Sequence, residues 1–150
     1  MARIPKILPG AVVLAFLVLA AAPLRAGEAV AVIVNRLNPA ARLDETEIKR
    51  IYTNSVLTWP DGSPISIYDL AISNPLRYSF SEKILAKTPS KVAQEWAHLK
   101  ITNQAKNPPR AIKSEALIIR RVSREKGAIG YVSLGLVKDN GEVRIVSVLR

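Results

Sequence analysis

The chain has 150 residues, 22 of them basic and 12 acidic, for a net charge of +10, with 49% hydrophobic residues, one histidine and no cysteine. The absence of thiols excludes disulfides, thiolate metal sites and a lipid-modified N-terminal cysteine, and one histidine leaves a transition-metal cluster almost without ligands. The basic excess favours anionic partners, whether small oxyanions, acidic polymers or lipid surfaces.

Arg3 and Lys6 precede an apolar run from Ile7 to Ala22, and small residues continue to Ala26. That order predicts a secretory signal peptide over residues 1–26, cleaved after Ala26, and hence a periplasmic or secreted protein that is not a lipoprotein. The alternative is an uncleaved anchor, although the run has about 16 residues where a membrane span takes roughly 20. Three of the 22 basic residues fall in this segment, so residues 27–150 keep 19 against 12 acids, a net of +7. Their 124 residues make one domain, large enough for a core without staples. Export removes such a chain from the genome, and aromatic and basic residues do not interleave, so no nucleic-acid partner is expected.

Ala29 to Val34 is a continuous apolar run that reads as a buried strand. Asp44 and Glu47 have the spacing of a capping box, with Leu43 and Ile48 as a hydrophobic staple, so a helix is predicted from Asp44 to about Thr53. Pro60-Asp-Gly-Ser-Pro64 is a turn, and Ile65 to Leu70 alternates as a half-buried strand does. Strand, helix and strand in this order predict a right-handed parallel unit within a mixed sheet.

Asn74-Pro75 and Thr88-Pro89 each place a capping side chain before a proline at the first helical position. Val92, Trp96 and Leu99 form the inward stripe of the second of these helices. Thr102 to Arg110 carries Asn-Pro-Pro and reads as a loop. Ser114 opens a further helix, with Leu117, Ile118 and Val122 inward and Arg120, Arg121, Arg124 and Lys126 near its C-terminal end. Gly127 is expected to end it in the left-handed conformation. Ala128 to Val132 and Glu142 to Leu149 read as strands, the latter after an Asp139-Asn140-Gly141 turn. Trp59 and Trp96 are expected in the packing, His98 at a solvated edge, while Tyr68, Tyr78 and Tyr131 suit either core or contact roles.

Two stretches resemble a known family. Ile48 to Ile65, with its helix, Trp-containing turn and strand, and Gly127-Ala-Ile-Gly-Tyr-Val132 are similar to segments of the phosphate-binding component of bacterial phosphate ABC transporters, a likeness that spans roughly Ala29 to Val137. It implies an α/β fold, one lobe of a type II periplasmic-binding-protein-like architecture with a mixed sheet flanked by helices. It also points to the strand-to-helix turn at 70–77, where the family carries Arg-x-Asp-Gly-Ser-Gly-Thr around phosphate. In gapless matching the Arg falls on Leu70, the Asp on Ile72 and the Gly-Ser-Gly-Thr on Ser73-Asn74-Pro75-Leu76.

The candidate ligand-binding residues are therefore Ser73, Asn74, Leu76 and Arg77, offering a hydroxyl, an amide, N–H groups at a helix start and a guanidinium for phosphate or another small oxyanion. Capping by Ser73 and Asn74, with Arg77 solvated, is the plain structural alternative. A single lobe would bind at an open surface, dimerise to form a cleft, or dock onto a transporter or another envelope protein. No Gly-x-Ser-x-Gly, Walker or His-Glu-x-x-His pattern occurs, and Asp44, Glu45 and Glu47 suit a helix start, so neither an enzyme nor a cofactor is expected. The leading expectation is an exported solute-binding-like protein; the alternative is a ligand-free interaction module of the cell envelope.

Overall fold

The computed structural model describes residues 27–150, so the predicted signal peptide lies outside the described residues. The elements are β1 (Val30–Asn35), α1 (Glu45–Tyr52), β2 (Ser66–Leu70), α2 (Pro75–Phe80) continuing into a π-helical turn over Ser81–Leu85, α3 (Pro89–Ile101), β3 (Arg110–Ile112), α4 (Glu115–Arg124), β4 (Ala128–Ser133), α5 (Leu134–Val137) and β5 (Val143–Leu149). Five strands form one mixed sheet in the order β3-β2-β4-β1-β5. The two innermost long strands, β1 and β4, are buried along their whole length, as continuous apolar runs covered on both faces must be.

The helix starts follow the local chemistry. Asp44 accepts from the N–H of Glu47 while Glu47 reaches back to the N–H of Asp44, a complete capping box. Asn74, Thr88 and Ser114 cap α2, α3 and α4, with proline just inside the first two. Val92 and Trp96 are buried and Leu99 packs against the core from its edge.

Several expectations need correction. β1 and β2 do not form a parallel unit: β4 lies between them, antiparallel to β1 and parallel to β2, so the two strands run in opposite directions. The physical reason is the antiparallel bridge between Thr58 and Pro64, a chain reversal that the simple crossover reading leaves out. β2 is not half-buried either, because Tyr68 is only 1% exposed. It lies beside Gly130, whose missing side chain also lets Ile118 and Val122 of α4 close over that face. Leu117 is 43% exposed rather than inward, since Ile118 and Val122, four residues apart, define the buried stripe of α4. The segment read as a loop through Arg110 gives way there to β3, which pairs in parallel with β2 from Tyr68↔Arg110 to Leu70↔Ile112.

Gly127 serves a different purpose from a left-handed helix stop. Its φ is not positive, and a Cβ built there would lie 2.2 Å from the carbonyl oxygen of Pro64. Its own oxygen accepts from the indole Nε1 of buried Trp59 at 2.9 Å and from the N–H of Ser66 at 3.0 Å. Glycine is required here because two backbones touch. Gly127→Ala should lower stability by about 1–3 kcal/mol through overpacking, read as a drop in the urea midpoint. The Gly141 turn, with open space around its Cβ position, should accept alanine with little change.

Candidate functional site

The parallel strands β2, β3 and β4 end on the same side of the sheet, at Leu70, Ile112 and Ser133, and each is followed by a helix start. In open α/β sheets ligands sit outside these carboxyl ends. The turn from Ala71 to Asn74, which carries the candidate residues, lies at this end and closes with the N–H of Asn74 donating to the oxygen of Ala71 at 2.9 Å.

Ser73, Asn74, Leu76 and Arg77 come together on this one turn. Ser73 is exposed and Asn74 half-buried, whereas Leu76 and Arg77 are buried. Asn74 Oδ1 accepts from the N–H of Leu76 at 2.8 Å, so that helix-start donor is held by its own cap. The Ser73 hydroxyl, the Asn74 side-chain N–H₂ and the backbone N–H of Arg77 have no acceptor among the described residues.

The Arg77 guanidinium is neither solvated nor turned outward. Its Nη2 lies 3.2 Å from Asp69 Oδ2 and its Nη1 donates to the oxygen of Leu70 at 2.8 Å, both partners being buried. Its Nε has no partner among the described residues. Asp69 in turn accepts from the N–H of Leu70 at 2.8 Å and from the Tyr131 hydroxyl. Burial pushes the Asp69 carboxyl above its usual range, against the opposing pull of Arg77 and Tyr131.

Aromatic side chains carry this pair. Tyr131 stacks on Phe80 with ring centroids 3.9 Å apart and planes 3° from parallel, and Tyr52 packs against Phe80 at 4.8 Å. The Tyr52 hydroxyl donates to the oxygen of Tyr68 at 2.9 Å. Burial first, and the Asp69 charge second, raise both Tyr131 and Tyr52, so the two phenols stay neutral and act by position. At the end of β4 the N–H of Ser133 is met by the carboxylate of Glu115 from the first turn of α4.

Sequence reasoning found the turn and left Tyr131 open between core and contact roles, but it missed the parts played by Asp69 and Glu115. A lone acid near the end of an otherwise apolar strand, eight residues before an arginine, is the signal that would have paired Asp69 with Arg77. Among the described residues no group of three His, Cys, Asp or Glu side chains gathers to hold a metal ion.

No protein-family model matches the chain, and no curated protein matches it in sequence. Solved structures do match in fold. A putative phosphate ABC transporter substrate-binding protein with bound phosphate from Clostridium perfringens is 22% identical with a TM-score of 0.64, over 80% of this chain and 44% of its own. An ABC-type phosphate transport receptor from Vibrio cholerae is 17% identical with a TM-score of 0.62, over 80% and 46%. A possible phosphate binding protein from Planctomyces limnophilus gives 18% and 0.61, over 79% and 40%. The chain thus spans less than half the length of the receptors it matches. Its mixed sheet flanked by helices is the fold that the two sequence motifs imply, and the neighbours that share it are substrate-binding receptors.

Proposed function

We propose that this domain is an exported, solute-binding-like module of the cell envelope that takes a small oxyanion, phosphate or a tetrahedral relative, at the turn between β2 and α2. The observation that carries the reading is the position of that turn. It lies at the carboxyl ends of the parallel strands, in a fold shared with phosphate receptors. Ser73, the amide of Asn74 and the N–H of Arg77 remain to meet an anion there, with Leu76 completing the first turn. The positive balance of residues 27–150 favours the same ligand class.

Affinity is expected to be low. The guanidinium is committed to Asp69, and an open surface encloses little of a ligand compared with a closed cleft. Isothermal titration at low salt with phosphate, sulfate and molybdate should give a Kd of about 1 mM, or about 4 kcal/mol of binding free energy. Ser73→Ala should weaken it further while leaving stability unchanged. Absence of heat from all three anions at several times that concentration rejects the reading.

A second reading, an interaction module without a small ligand, is favoured by one observation. The chain's own groups already meet three of the donors an anion would use: Asp69 on Arg77, Asn74 on Leu76 and Glu115 on Ser133. Exposed Ile72 and Tyr78 flank the turn as contacts for such a partner, whether a transporter, another envelope protein or a second copy of the chain. The two readings separate on the titration, since only the first predicts saturable oxyanion binding.

A further inference from the structure

A second concavity lies at the other end of the molecule from the candidate turn. A groove of about 670 Å³ runs between the segment after β1, the end of α4 and the start of β5, and Arg36, Leu37, Arg124, Lys126 and Arg144 line it with Glu142 as its one carboxylate. We infer that this groove docks an acidic polypeptide segment.

The walls are fixed. Asn35 Nδ2 donates to the oxygens of Val122 and Ser123 at 2.9 and 3.0 Å, and Asn38 Nδ2 donates to the oxygen of Lys126 at 3.0 Å, tying the loop after β1 to the end of α4. Arg144 donates to the oxygens of Arg36, Asn38 and Ala40 at 2.9, 3.1 and 3.1 Å, tying the same loop to β5. Three separate elements are held in register around the concavity, which lowers the ordering cost of a partner.

The charge is uncompensated. Arg36, Arg124 and Arg144 meet no carboxylate within ion-pair distance among the described residues, and Lys126 reaches only Asp61, at 3.4 Å on the surface. A helix dipole accounts for Arg124, at the C-terminal end of α4. It does not account for Arg36, which comes from another element, and Arg144, although bonded to three carbonyl oxygens, adds its charge to the groove without a carboxylate partner. Arginine forks suit carboxylates, and Leu37, 75% exposed at the rim, gives an apolar side chain a place between them. A single small anion leaves the exposed Leu37 without a contact. A bilayer meets projecting surfaces rather than a concave one. A polypeptide with carboxylates interspersed with apolar residues satisfies the whole groove.

The test is fluorescence anisotropy of a labelled peptide of alternating glutamate and leucine, titrated with the protein at low salt. Saturable binding that weakens as salt rises is expected. The Arg36→Glu, Arg124→Glu double variant should lose at least about tenfold in affinity, and Arg36→Glu alone should lose part of it. Both positions are exposed, so folding is retained. Lys83→Glu with Lys91→Glu makes the same change in net charge on the helices covering the opposite face of the sheet, and should stay within about twofold of the parent. Equal losses in the two double variants reduce the effect to overall charge and overturn the proposal. So does failure of the peptide to saturate, or binding of phosphatidylglycerol vesicles in its place.

Discussion

Replacing Arg77 by leucine should lower the unfolding free energy by about 3–5 kcal/mol near neutral pH, the usual cost of removing one partner of a buried ion pair. The change leaves Asp69 buried with only the N–H of Leu70 and the Tyr131 hydroxyl to meet its charge, and it leaves the oxygen of Leu70 without its guanidinium. The loss carries a pH signature. Burial already holds Asp69 above its ordinary range, so between the ordinary and the raised value the folded state keeps a proton that the unfolded state has released. Stability therefore falls as pH rises from the ordinary carboxylate value through the raised one. Without Arg77 the raised value climbs further. The penalty should be greatest at neutral pH and shrink on acidification toward about pH 4. Urea midpoints at neutral and mildly acidic pH measure this, and the Asp69→Asn, Arg77→Leu double variant should be more stable than Arg77→Leu alone. A loss independent of pH, with no relief from the second substitution, contradicts the assignment of an ionised buried pair.

Phe80→Ala should cost a similar amount, about 3–5 kcal/mol, as expected for truncating a buried phenylalanine. Phe80 fills the space between Tyr52 and Tyr131 and stacks face to face on Tyr131. Its loss opens a cavity and frees the ring whose hydroxyl holds Asp69. Two residues away, Tyr78 is 49% exposed, and Tyr78→Ala should change stability by no more than about 0.5 kcal/mol. Chemical unfolding of the two variants in parallel makes the comparison. Near-equal losses would mean that the aromatic cluster does not support the turn as described.

The fold was legible where local chemistry decides it. Four helix starts follow from caps at Asp44, Asn74, Thr88 and Ser114, and the buried runs at Val30 and Ala128 announce central strands. It was illegible where partners are distant in sequence. The direction of β2 depends on the Thr58–Pro64 reversal, and β3 has three residues, too few to show a period. Gly127 looked like a helix stop because its contact, Pro64, is 63 positions away. At the candidate site, the turn and its cap could be read from Ser73-Asn74-Pro75. The inward guanidinium could not, because Arg77 and Asp69 meet only after strand and helix fold onto each other.

The central claim is that the turn after β2 still receives an oxyanion even though Arg77 is engaged from within. Backbone amide chemical shifts of the isotopically labelled protein, followed through a phosphate titration at low salt, address it residue by residue. Saturable shifts centred on Ser73, Asn74, Leu76 and Arg77 are the predicted result. Shifts confined to Arg36, Arg124 and their neighbours, or none at all, contradict it.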